Sequence, residues 1–193
     1  MVMSPTDPHE VRLTGENSFI RLSQGGGEFT TRASHWRVWF SPAGMGHVLL
    51  LQSELTDGQT RIYSDNIALA RWMQEELESQ IHPPNADPNI PVVEATFSRA
   101  GDSRSFWTEY VSSDDAEISM TWYDFIDPFV VRVEAGTRPA GPHGVYSCFI
   151  PAKGARLTVN GQQAAGLPEP QERDGHASST AALALSESWV RPR

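Results

Sequence analysis

The chain has 193 residues, 39% of them hydrophobic and 20% charged, which suits one well-cored soluble domain. Its formal charge is -9 and no basic stripe is visible, which argues against nucleic acid and anionic membrane surfaces as partners. Cys148 is the only cysteine, so no intrachain disulfide forms. With no apolar run near the ~20 residues of a membrane span and no secretory signal in MVMSPTDPHE, the expected location is cytoplasmic.

Residues 1–9 are polar and proline-containing, and are expected to form a flexible arm ahead of a single domain over 10–193. Short β-like runs follow: EVRLTG, SFIRLSQ, the turn GGGEF, and the aromatic run FTTRASHWRVWFSP. GHVLLLQSEL and TRIYS flank TDGQ, where Asp-Gly accepts the positive φ of a hairpin turn.

One segment has a different period. In SDNIALARWMQEELESQI, Leu69, Met73, Leu77 and Ile81 recur every fourth residue, and Ile67, Ala70 and Trp72 widen the stripe. Ser64 or Asp65 can cap this helix near 66–81, Glu75, Glu76 and Glu78 lie mostly off the stripe, and HPPNADPNIP ends it.

Thereafter VVEATFSRA, SFWTEYVSS, AEISMTWYDF, PFVVRVEAG, VYSCFIP, ARLTVNG and TAALALSESWV read as strands, with GQQAAGLPEPQERDGHAS as a surface loop or flap. Cys148, in VYSCFIP, reads as a small buried hydrophobe. About ten strands and one helix predict a mainly β chain, a single antiparallel β-barrel with the helix over one mouth or on the outer wall. Ser34-His35-Trp36 stands where a lipocalin carries Gly-x-Trp, so the likeness to lipocalins is one of architecture only.

Strand parity nominates the chemistry. Asp124 follows Ile118, Met120 and Trp122 on one parity, and is either a turn residue or an acid at a barrel mouth. Glu109 lies on a mixed strand whose faces also carry Trp107 and Tyr110. Glu187 shares parity with Ala181, Leu183, Leu185 and Trp189, so it points inward unless a bulge breaks the register; Arg37, Arg61 and Arg132 are candidate interior partners. His35, Arg37 and Trp39 share one face of an aromatic strand and Trp36, Val38 and Phe40 the other. Such a strand lies between the core and a ligand, a covering helix or a subunit. His35 is the histidine best placed for proton transfer. Tyr63 and Asp65 sit at a strand-to-helix junction, and His143 in a loop.

The six histidines form no His-x-His, His-x3-His or Cys/His cluster. Phosphate-loop, dinucleotide and nucleophile-elbow signatures are missing, so no metal or cofactor is implied. The expected function is a cofactor-independent lyase or isomerase acting on a small hydrophobic or aromatic molecule in an aromatic-lined barrel. Asp124, Glu187, His35 and Tyr63 would do the acid/base chemistry, and Trp36, Trp39, Trp107, Tyr110, Trp122 and His143 would hold the substrate. The alternatives are a carrier barrel without chemistry, or an interaction module that forms a homodimer through the aromatic strand.

Overall fold

The computed structural model describes residues 11–25, 27–137 and 140–191, so the expected N-terminal arm lies outside the described residues. Thirteen strands form: β1 Val11–Ser23, β2 Phe29–Phe40, β3 Gly46–Ser53, β4 Thr60–Ser64, β5 Val92–Gly101, β6 Phe106–Ser113, β7 Glu117–Phe125, β8 Phe129–Val133, β9 Gly144–Val159, β10 Gln162–Gln163, β11 Pro170–Arg173, β12 His176–Ser179 and β13 Ala181–Val190. Nine of them close into a barrel, in the order β1-β2-β3-β4-β5-β6-β7-β9-β13 and back to β1. The fold is the expected mainly β barrel with one helical segment.

One feature corrects the antiparallel expectation and a second adds to the barrel. The barrel is not wholly antiparallel, because β4 and β5 run parallel. A parallel pair needs a long crossover, and the helix supplies it. The last β9 residues pair with β7, whereas its first half is shared by β13 and β8, so β8 adds a strand beyond the closed wall.

The barrel interior is packed. Ile20, Ala33, Leu49, Tyr63, Ala95, Val111, Met120, Leu157 and Leu183, one from each barrel strand, meet in a single buried cluster. Trp122 is fully buried in this cluster and donates its indole N–H to the Phe19 carbonyl at 2.9 Å.

A second apolar layer lies outside the wall. Helix α1, Ile67–Met73, runs on through a π-helical segment, Gln74–Glu78, into a last turn, α2, Ser79–Ile81. Leu69, Met73 and Leu77 bury against Leu13, Trp36, Val38, Val48, Leu50 and Ile62 of β1–β4. The fourfold spacing thus found the right face, although Ile67 is exposed. The N-cap is Asn66, whose side chain accepts from the Leu69 N–H at 3.1 Å. Asp65 instead binds His47, from both its backbone N–H and its ring, at 2.6 Å each. The aromatic strand β2 therefore lies between the barrel core and a covering helix.

Candidate active site

A cavity of about 460 Å³ opens between the outer wall and the end of the helix. Its walls come from β1, β2, β3, β8, β9 and β13, and its far side from the helix end and the turn after it. The β11–β12 hairpin flanks it with Arg173 and Ser178. This hairpin turns through Asp174 and Gly175, both at positive φ, 52° and 78°. It lies within the segment expected to be a loop or flap.

Glu187 reaches the cavity through a bulge. Gly15 pairs with Glu187 and Asn17 with Ala184, so β13 carries one residue more than β1 over the same span. The extra residue distorts at Ser186, φ 52°. An extra residue exchanges the faces of a strand. Ala181 and Leu183 face the barrel core, but Glu187 and Trp189 join Ala182 and Ala184 on the outer face. The expected inward direction of Glu187 is corrected by this bulge. The side chain is nonetheless buried, and accepts a hydrogen bond from the Trp189 indole at 2.6 Å. Burial raises its pKa to about 7 against the opposing pull of that N–H. Ser147 Oγ stands close enough to favour the carboxylate but makes no hydrogen bond of good geometry, so a buried hydroxyl is left unpartnered beside Glu187. None of the expected arginine partners reaches Glu187: Arg37 bonds His47, Arg61 bonds Asp115 and Arg132 bonds Glu134.

Glu78 is the second buried carboxyl in the cavity, and the helix explains it. Ala70, Gln74 and Glu78 form an i, i+4, i+8 row beside Leu69, Met73 and Leu77. The wider π turn keeps this row facing the wall. Glu78 is corrected from an off-stripe charge to a 1% exposed side chain. Its Oε1 accepts from Trp36 Nε1 at 2.6 Å and Ser34 Oγ at 2.8 Å, and its Oε2 from Asn85 Nδ2 at 3.0 Å. Burial still raises its pKa above the ordinary carboxyl range. Gln74 donates to the carbonyls of Asn85 and Asp87, holding the turn that carries Asn85.

Three arginines, Arg21, Arg32 and Arg173, line the same cavity with His82. Each guanidinium lies over an aromatic ring: Arg21 over Phe19 at 5.2 Å, Arg32 over Phe29 at 4.7 Å and Arg173 over Phe149 at 5.0 Å. Burial and then the charge of Arg32 lower the Arg21 pKa, while Glu78 opposes the change. Burial lowers Arg32 too, and burial followed by Arg32 and Arg21 lowers His82.

The other nominated residues fall into three places. Trp36 lines the cavity. His35, Tyr63, Trp107 and Trp122 belong to the barrel interior, away from it. There His35 Nδ1 lies 3.9 Å from Glu109 Oε1, and Trp107 donates to Glu109 at 2.7 Å. Burial lowers the His35 pKa to about 3, helped by the charges of His47, Arg37 and Arg99, and burial raises Glu109 to about 7. His35 Nε2 and the Tyr63 hydroxyl are buried without partners. Asp124, Trp39 and Tyr110 are exposed, so of the two readings of Asp124 its position favours the backbone one over a desolvated acid at a barrel mouth. Asp124 kinks β7 at φ 54°, between the Tyr123–Gly154 and Phe125–Ala152 pairs; Asp is among the residues that tolerate this conformation. His143 is buried, binds Glu76 Oε1 at 3.1 Å and packs edge-on against Trp189, outside the cavity lining. Cys148 is half-buried.

Parity missed Glu78, Arg21, Arg32, Arg173, Asn85 and Ser147. Arg21 had a readable signal, since it alternates with Ile20 and Leu22 and shares a parity with Phe19. Arg173 had another, the Asp-Gly pair that follows it. Among the described residues no three His, Cys, Asp or Glu side chains converge as a metal-ligand set, and no helix is long and apolar enough to cross a membrane. No protein-family model, curated protein or solved structure matches the chain.

Proposed function

We propose that the chain is a cofactor-independent lyase or isomerase. It acts on a small hydrophobic molecule held in the cavity between barrel wall and helix, with Glu187 as the acid/base. The observation that carries this reading is a buried carboxyl on a 460 Å³ cavity whose walls are mostly apolar. An acid raised to about 7 exists in both protonation states near neutrality, as proton transfer requires. In its ionised form Glu187 would take a proton from a carbon made acidic by a neighbouring unsaturated group. In its protonated form it would return that proton to another atom of the same molecule. Ser147, with a free hydroxyl beside it, is placed to bond a substrate oxygen. Trp36, Trp189, Phe149 and Val131 would hold the apolar body.

A carrier without chemistry is the second reading. It is favoured by Glu78, whose oxygens already accept three protein donors, which leaves Glu187 without a second free carboxyl as proton partner. Glu187→Gln separates the two. The variant keeps the size and the acceptor for Trp189. An enzyme should lose at least a hundredfold in turnover while binding the same compounds, as scored by product analysis over a panel of hydrophobic and aromatic molecules. Recovery of every bound compound unchanged from the wild type would leave the carrier.

A further inference from the structure

Given that the cavity is a binding site, as proposed above, we infer that its ligand is an amphipathic anion, an apolar body ending in one oxyanion group that Arg21, Arg32 and Arg173 receive. The charge pattern of the molecule makes these arginines unusual. The chain carries an excess of nine acidic groups, yet three cations collect on one partly buried cavity. Among the described residues, five other arginines find carboxylates, Arg12 and Arg191 with Glu76, Arg61 with Asp115, Arg99 with Glu16 and Arg132 with Glu134, while Arg37 turns to His47 and Arg71 to Gln74. Among the described residues, Arg21, Arg32 and Arg173 have no carboxylate within 4.0 Å and make no side-chain hydrogen bond.

Three carboxyls line the same cavity, and none comes within 4.0 Å of these cations, although Arg21 acts on Glu78 and Arg173 on Glu187 at longer range. Glu78 is occupied by Trp36, Ser34 and Asn85, Glu187 by Trp189, and Glu172 is exposed on the hairpin. Clustered like charges removed from water without partners are costly. Stacking on Phe19, Phe29 and Phe149 covers the guanidinium faces and leaves their N–H edges for planar recognition of a carboxylate or phosphate.

The rest of the cavity fits the other end of such a ligand. Trp36, Leu50, Val131, Val133, Ala184 and Trp189 give it an apolar floor. Its volume of about 460 Å³ falls within the ~300–1,000 Å³ of small-molecule sites, room for a medium-length chain or a substituted ring. Arg21 and Arg32 are cross-strand neighbours on β1 and β2, with Gln52 and Thr60 continuing the same polar row on β3 and β4. Arg173 arrives from the hairpin. The anion would therefore sit between a fixed wall and a hairpin tied at its base by the Ser179 hydroxyl to the Ala152 carbonyl and by Phe129 stacked on His176 at 4.5 Å.

The test compares decanoate, decyl phosphate and decanol on the full chain, read by tryptophan fluorescence because Trp36 and Trp189 line the cavity. At least one anion is expected to bind tenfold or more tightly than decanol, with the advantage shrinking as salt rises. Which anion wins identifies the oxyanion. In Arg21→Gln and Arg173→Gln the advantage should collapse while decanol binding persists, which also shows that each variant is folded. Equal binding of all three compounds, or variants that keep the wild-type preference, would overturn anion recognition and leave the cavity as a neutral site. Saturation by none of the three would overturn both the anion and the binding site.

Discussion

Glu187 shows how one backbone distortion decides what a side chain can do. Without the extra residue at Ser186 it would point into a filled barrel interior; with it, the carboxyl reaches an open cavity. Its pKa of about 7 lies above an unfolded value near 4.5, so the folded state holds the proton more tightly. The stability from this linkage is full below about pH 4.5 and is lost as pH rises through 7. Glu187→Gln should be close to neutral at pH 4.5 and more stable than wild type by on the order of 3 kcal/mol at pH 8. Denaturant titrations at both pH values check this, and a difference independent of pH would contradict it. Ser186 holds a positive φ without being glycine, at a cost of roughly 1 kcal/mol. Ser186→Gly should therefore raise stability by about that amount and leave the bulge intact. A lower midpoint in the same titration would contradict it.

At the scale of elements, the helix and the hairpin supply the cavity's outer side. Leu77 anchors the π segment from which Glu78 projects, and is fully buried against the β-wall layer. Leu77→Ala should cost about 2–5 kcal/mol and loosen the cavity, so unfolding midpoint and ligand affinity fall together. Affinity unchanged after so large a loss would argue that the helix does not border the binding site. Gly175 at φ 78° has open space around its Cα, so Gly175→Ala costs backbone strain alone, about 1 kcal/mol, localised to β11–β12. Amide exchange should then quicken in 170–179 and hardly change in β1 or β13.

The elements were largely legible in the sequence, because alternation and fourfold spacing report burial on a regular backbone. Ile118, Met120 and Trp122 took their predicted face, as did Leu69, Met73 and Leu77. The site was legible only in part, because its two carboxyls sit where regularity breaks. A bulge moved Glu187 to the other face and a π turn brought Glu78 inward, and neither distortion has a composition of its own. Parity also assumes one buried face. Here a helix and a hairpin cover the outside of the wall, so polar residues on the supposedly solvated face, Arg21 and Ser147 among them, line the cavity.

For the whole molecule, the closed barrel is a packed scaffold and the cavity of about 460 Å³ lies outside it. That division leaves His35 and Glu109, despite their shifted pKa values, off the lining of the outer cavity, which Glu187 joins. The most direct test fills the outer cavity while leaving the barrel interior alone. Ala184 lines the cavity on β13, and a Phe there would occupy part of it at an overpacking cost of about 1–3 kcal/mol. A tryptophan-fluorescence titration with a hydrophobic aryl or alkyl ligand should saturate in the wild type. It should weaken at least tenfold in a folded Ala184→Phe. Undiminished binding to that variant would contradict the outer cavity as the site.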